Sequence, residues 1–508
     1  MRNDRRLRIM TAEGILLGKV AEGVFVFKGI PYAAPPVGEL RWKAPQPVKP
    51  WSGEKDASKW GAACWQNRND CLAMGGGDPG EISEDCLYLN VWTPDIAPSV
   101  PLPVMVWIHG GAYTIGSGGL TPYSGAPLAQ RGAVVVTLNY RLGHFGFFAH
   151  PALDSEYPQG EETNNFALLD HIAALHWVQR NIHAFGGNAH NVTLMGESAG
   201  ARSVLSLFAS PLAQGFFHKG IVQSAYALPD LPRAAALVKG QKLACHFKLP
   251  AATAEQLRDL PAEAFLQLDN ALSCGPVAIS GDRVLPVPML DVFTAGRQHP
   301  LPLIIGSNSD EASVLEFFGV DAAQSIAAMR RKHPLGLRMM KWLYRGVKDD
   351  AELGRQVARD MSFTIMGYLA SRAQQRIAVP CWRYYFDYVS ENSRDIYRHG
   401  TWHGNEIPYV LNTLGQFTAE ETGQPFTSGD VDFAERVSEY WLNFAREATT
   451  CTHSIRGELD WPAWHSSTDL TLRLGRHGLA EITIEKRFMR YRMRVFRFLM
   501  KAFVHLNH

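Results

Sequence analysis

The run Val192-Thr193-Leu194-Met195-Gly196-Glu197-Ser198-Ala199-Gly200 constrains this chain more than any other. An apolar strand passes directly into Gly-x-Ser-x-Gly, and the next residues, Ala201 to Phe208, suit a helix. A serine lifted on such a strand-to-helix turn sits at strained dihedrals, and Gly196 and Gly200 leave room for the turn and for close helix packing. Ser198 is therefore the candidate nucleophile. The backbone N–H of Ala199, at the start of a helix, is a candidate oxyanion donor. The pentapeptide alone is common; it gains meaning only if an acid and then a histidine follow in chain order.

The flanking sequence supplies the matching scaffold. Val104 to Ile108 is a short apolar run, the pattern of a buried parallel strand, and it ends in His109-Gly110-Gly111-Ala112-Tyr113. Glycines there let backbone N–H groups converge on one point. Val134 to Leu138 is a second such strand, and Leu168 to Val178 spaces its apolar residues as a helix does. Strand, helix, strand, turn, helix is a βαβ arrangement, which predicts an α/β fold around a mostly parallel sheet. With 508 residues, 46% of them hydrophobic, and no linker or repeat, a single large domain over 1–508 with long insertions is expected.

Charge and cysteine usage narrow the function classes. A net charge of +1 gives no reason to invoke nucleic acid. Met1 to Arg8 is charged and has no apolar core of a signal peptide, and the uncharged run Ile96 to Gln130 holds six Gly and five Pro, which argues against a membrane span. Seven scattered cysteines without a CxxC suggest free thiols, so a soluble cytoplasmic protein is expected.

An acid and a histidine do follow. Leu303 to Gly306 is an apolar strand, and two carboxylates, Asp310 and Glu311, stand in the loop beyond its carboxyl end, where a triad acid belongs. The residues alone do not choose between them. His403 lies in Thr401 to Val410 and is the candidate base. His399 and His403 would be four apart on a helix, a metal-ligand spacing, but Gly400 and Gly404 oppose a helix and no third ligand stands nearby. Serine, acid, histidine is the chain order of α/β hydrolases and differs from both serine-protease orders.

Phe27-Lys28-Gly29-Ile30-Pro31-Tyr32-Ala33 with Arg41-Trp42, then Ser83-Glu84-Asp85-Cys86-Leu87-Tyr88-Leu89-Asn90-Val91-Trp92, resemble signature segments of the type-B carboxylesterases, as do His109 to Tyr113 and Asn139 to Gly143. The resemblance implies an α/β-hydrolase fold, a mostly parallel sheet flanked by helices, with helical cap insertions near 230–290 and 315–380. It implies ester hydrolysis without a cofactor or metal. It favours Glu311 over Asp310 and makes Thr401 to Val410 the family's His-Gly-x-Glu-Ile segment. It gives the oxyanion hole as the N–H groups of Gly111, Ala112 and Ala199, with Gly110 shaping the turn, and places Glu197 and Ser224 beside the site. In secreted members a disulfide joins the cysteine matching Cys86 to one matching Cys64 or a neighbour; Cys64 and Cys71 both remain candidates here. Departures from the family pattern are His171, Asn188, Ala225-Tyr226, and Gly76 where choline-binding members place Trp. Choline esters are therefore not expected substrates.

The implied chemistry is an acyl-enzyme route: His403 takes the proton from Ser198, Glu311 holds the imidazole, and water releases the acyl group. The base must be neutral, so activity should fall in acid. Amide, carbamate or thioester substrates would use the same machinery. A non-catalytic adhesion homologue is the reading from another class, and the retained serine, glutamate and histidine count against it.

Residues 485–508 hold seven Lys/Arg and one Glu. A helical wheel sets Arg487, Arg490, Arg494, Arg497 and Lys501 against Phe488, Tyr491, Val495, Leu499, Ala502 and Leu506. Such a helix either packs on the body or on a second copy, or lies on an anionic membrane. Packing is favoured, because most amphipathic helices face a core.

Overall fold

The computed structural model describes residues 7–506 apart from Gly75, Asn270, Val320, 419–421 and 448–453. The chain divides into two compact units, Met1–Ile221 with Pro229–Leu301 and Phe444–Thr450, and Val222–Leu228 with Pro302–Asn443 and Cys451–His508.

In the first unit the strands β1 (Leu7–Met10), β2 (Ile15–Ala21), β3 (Val24–Pro31), β4 (Tyr88–Thr93), β5 (Leu102–Ile108), β6 (Val134–Leu138) and β7 (Gly187–Glu197) form a sheet in the order 1-2-3-4-6-5-7. The first four pair antiparallel and form its edge. The other half is parallel, with Val104 opposite Val134 and, on the other side, Gly196 opposite Ile108. β5 is buried over its last five residues and β6 throughout, which explains their unbroken apolar sequences: a strand covered on both faces shows no alternation. Helix α1 (Phe166–Asn181) fills the crossover, and Gly186, at φ 77°, closes the 3₁₀ turn that follows it. Helix α2 (Ala199–Ala209) follows β7 without a gap for a loop.

In the second unit β8 (Leu303–Asn308), β9 (Cys381–Phe386) and β10 (Leu470–Arg476) are parallel, and β11 (Leu479–Lys486) turns back antiparallel on β10. Between β8 and β9 lies a helical insertion that includes α3 (Pro334–Leu343), a π-helical turn at Asp360–Thr364 and α4 (Ile365–Arg376). The tail forms α5 (Arg490–Leu506), so the helix starts later than residue 485, which still belongs to β11.

Cys64, Cys71 and Cys86 are all free and buried; of the two partners left open for Cys86 neither is bonded to it, and the Cys64 sulfur accepts the Leu142 N–H. One expectation changes. Among the described side chains of α5 the buried ones are Met493 and Phe496, whereas Tyr491, assigned to the packed side, is 71% exposed. The helix packs against α4 with these two residues buried, and Arg490 reaches Asp469 at 2.9 Å.

Among the described buried histidines of the first unit, His109, His144 and His171 are held neutral by burial. Burial lowers His109 and His144 to about 4 and His171 to about 3. Unfolding frees them to protonate near the ordinary value of about 6.5. The stability they contribute is complete above that value and is lost as pH falls toward 4, by up to about 3 kcal/mol per histidine. The urea midpoint should fall between pH 7.5 and 5, and less steeply in a His171→Gln variant; identical slopes for parent and variant would refute the assignment to His171.

Candidate active site

Ser198 carries φ 54° and ψ −119°, a conformation L-residues avoid, and leads straight into α2. The turn holds because its glycines have no side chains. A Cβ on Gly200 would lie 2.1 Å from the Ile108 carbonyl oxygen, and one on Gly196 would lie 2.6 Å from the Gly200 carbonyl carbon. Both contacts are with backbone and cannot be relieved by rotating a side chain. Gly200→Ala should therefore cost about 1–3 kcal/mol by overpacking and lower kcat about 100-fold by shifting the turn about 1 Å. Urea unfolding and ester turnover check this, and a variant with parental stability would show that β5 yields freely.

The glycine loop after β5 faces the same turn. A Cβ on Gly110 would fall 2.5 Å from Glu197 Oε2 and 3.1 Å from Ser198 Cβ, so only glycine fits between the loop and the serine. Gly111, Ala112 and Tyr113 all adopt positive φ, 100°, 53° and 62°. Three consecutive left-handed residues turn the backbone sharply, and two of them are not glycine, so the surroundings impose the shape. The Gly111 carbonyl accepts the N–H groups of Thr114 and Ile115, at 2.9 and 3.1 Å. His109 braces the loop: its Nδ1 lies 2.8 Å from the Gly110 oxygen, and its ring stacks on Tyr140, whose hydroxyl donates to the His109 carbonyl. Held far below the ordinary imidazole range by burial, His109 is a structural group.

Behind the serine, the Tyr113 hydroxyl lies 3.1 Å from Ser203 Oγ on α2. Arg202, on the same helix, pairs with Asp230 at 2.5 Å, both almost fully buried. Tyr113, Tyr140 and Asp230 carry no sequence signal for this role; only their contacts reveal it.

In the second unit, Glu311 and His403 meet. Glu311 is fully buried; its Oε2 is 2.5 Å from His403 Nδ1, and its Oε1 accepts the Asn308 N–H at 2.7 Å. Asp310 goes elsewhere, accepting two hydrogen bonds from Arg355 at 2.6 and 2.8 Å. The Ser313 hydroxyl accepts the His403 N–H at 3.1 Å, and the Phe363 ring stands 5.1 Å from the imidazole. His399 engages Glu352, so the two histidines serve different carboxylates and share no helix.

The glutamate of the His-Gly-x-Glu-Ile segment, Glu406, is a further buried carboxyl here. Glu406 accepts from Asn308 Nδ2 at 2.5 Å and from Gln223 Nε2 at 3.1 Å. Burial, then the nearby charge of Glu311, pushes its pKa up. Asn308 thus ties both carboxyls together, its main chain to Glu311 and its side chain to Glu406. Ser224, also at positive φ, is fully buried, and its N–H donates to the Gly306 carbonyl at 2.9 Å.

The family model described as the carboxylesterase family matches residues 5–492. The chain belongs to the carboxylesterase family. It is a carboxylic ester hydrolase with the α/β-hydrolase fold, a mostly parallel sheet flanked by helices. It is 34% identical to the para-nitrobenzyl esterase of Bacillus subtilis, over 94% of this chain and 96% of that one. It is 36% identical to the fumonisin B1 esterase of Sphingopyxis macrogoltabida, over 87% and 82%. A solved PNB esterase structure superposes with a TM-score of 0.80 at 32% identity, covering 97% of this chain and 99% of that one. The carboxylesterase of Geobacillus stearothermophilus gives 0.80 at 28% identity, over 97% and 100%. No described helix of this carboxylesterase is long and apolar enough to cross a membrane.

Proposed function

We propose that this carboxylesterase cleaves small-molecule esters through an acyl-enzyme in which Ser198 is the nucleophile, His403 the general base and Glu311 the carboxylate that orients it. The observation that carries this reading is the 2.5 Å contact between Glu311 and His403 Nδ1. A carboxylate at Nδ1 holds the proton there and leaves Nε2 as the acceptor that a serine hydroxyl needs.

Ser198 Oγ attacks the ester carbonyl while His403 Nε2 takes its proton. The carbonyl oxygen becomes an oxyanion and accepts from the N–H groups of Gly111, Ala112 and Ala199, with Gly110 giving the loop its close approach. Donors of this kind contribute about 3–4 kcal/mol each. The alcohol leaves with the proton from His403. Water, deprotonated by His403, then releases the acid and regenerates Ser198. Glu197 and Ser224 are the supporting groups of the site in this reading. No step calls for a metal or cofactor. Free thiols at all six described cysteines fit a cytoplasmic setting.

The test is hydrolysis of p-nitrophenyl esters from acetate to palmitate, together with a p-nitrobenzyl ester suggested by the Bacillus relative's name. Turnover with a definite chain-length optimum is expected. Inertness toward every ester, with turnover of an amide, carbamate or thioester probe, would move the substrate class while keeping the machinery; inertness toward all of them would overturn the reading.

A further inference from the structure

Charge in this chain is unevenly distributed. Residues 322–348 contain seven Lys/Arg and no Asp or Glu, and so do residues 486–508. The rest of the chain carries 36 basic residues against 49 acidic ones. Both segments belong to the second unit, and each contains a helix that repeats one pattern. In α3, Leu335, Arg338 and Trp342 stand at i, i+3 and i+7; in α5, Tyr491, Arg494 and Phe498 do the same. Residues at these spacings share one helix face.

These faces point to solvent. Leu335 is 80% exposed, Trp342 56%, and Tyr491 and Phe498 each 71%. The opposite faces are committed to the interior through Leu337 and Met340 in α3 and Met493 and Phe496 in α5. Arg492 links the two elements: its guanidinium lies 4.0 Å from the Tyr344 ring centroid, just past the end of α3, and its Nε is 3.4 Å from the Leu343 carbonyl. Lys341 is held by Asp350 at 3.0 Å. Among the described residues, Arg331, Lys332, Arg338, Arg494 and Arg497 make no ion pair.

We propose that the exposed faces of α3 and α5 dock this protein on an anionic phospholipid surface. Large apolar and aromatic side chains placed among unpaired Arg and Lys, on helices whose other face is already packed, are suited to the boundary between headgroups and acyl chains. The arginines meet lipid phosphates and carboxylates, while Leu335, Trp342, Tyr491 and Phe498 leave water. A second copy of this chain fits poorly, since a symmetric pairing would set like charges against each other. A nucleic acid would satisfy the basic residues and leave Leu335 and Phe498 exposed. Docking of this kind would bring the enzyme to esters dissolved in lipid, but it depends on the surface alone and not on the ester chemistry.

Co-sedimentation of the full chain with phosphatidylcholine vesicles, with and without phosphatidylserine, tests it. Binding is expected only with phosphatidylserine and should be lost in about 1 M salt. Arg338→Gln and Arg494→Gln should each weaken it roughly fivefold, and Trp342→Ser with Phe498→Ser should weaken it more than tenfold. All variants should keep the parental circular dichroism and turnover of soluble p-nitrophenyl acetate, which separates this outcome from misfolding or failure of the esterase reading. No pelleting with either vesicle, equal pelleting with both, or parental binding by the Trp342 and Phe498 variant would overturn the proposal, as would a dimer in sedimentation velocity that these substitutions dissolve without any vesicle binding.

Discussion

Ser198→Ala is expected to lower kcat for ester hydrolysis by about 10⁶-fold while leaving the urea midpoint near the parental value. The strain at φ 54° is imposed by the backbone around Gly196 and Gly200 and does not depend on the hydroxyl. Ser198 makes no side-chain cap to α2, although it stands at the N-cap position, so removing its oxygen takes no hydrogen bond from the helix. Substrate should still bind, so the loss should fall on kcat and spare KM. The measurement is single-turnover and steady-state hydrolysis of a p-nitrophenyl ester beside denaturant unfolding. Residual activity within tenfold of the parent would remove Ser198 from the chemistry.

Glu311→Gln is expected to cost about 10³–10⁴-fold in kcat, again with little change in stability. The reason is the hydrogen bond on the far oxygen. Asn308 N–H donates to Glu311 Oε1, so a glutamine must place its carbonyl there and turn its NH₂ toward His403 Nδ1. Nδ1 then has to accept, the proton moves to Nε2, and the imidazole can no longer take a proton from the serine. Glu311→Asp keeps the charge but is one methylene shorter, so it should lose less. Kinetics of the three proteins over a range of pH test this, and equal activity for glutamine and glutamate would show that the carboxylate does not set the tautomer. Asp310→Asn gives the contrast: its carboxylate serves Arg355, so it should change stability more than kcat.

Much of the fold could be read in the chain because its signals are local. Val104 to Ile108 and Val134 to Leu138 are uninterrupted apolar runs and form adjacent parallel strands, and the glycines at 196 and 200 are required by backbone atoms a few residues away or on the neighbouring strand. Other assignments needed the folded chain. Cys64 and Cys86 are both free and buried, and nothing near either cysteine in sequence distinguishes a free thiol from a bonded one. The orientation of α5 is not legible in its sequence, because a wheel cannot say which of two apolar stripes a neighbour covers, and here that neighbour is α4, more than 100 residues earlier.

The sequence by itself determined the Gly-x-Ser-x-Gly turn at Ser198, the glycine loop, the order of serine, carboxylates and histidine along the chain, and the family, since each depends on residue type and spacing along a short stretch. Only the tertiary structure decided that Glu311, and not Asp310, meets His403, because that choice is made by Arg355 and Asn308, which claim the two carboxylates from different sides. It also decided that Glu406 shares Asn308 with Glu311, and that the basic segments 322–348 and 486–508, far apart in sequence, meet through Arg492. These contacts join residues distant along the chain, and their energies appear only once folding has brought the partners within hydrogen-bonding distance.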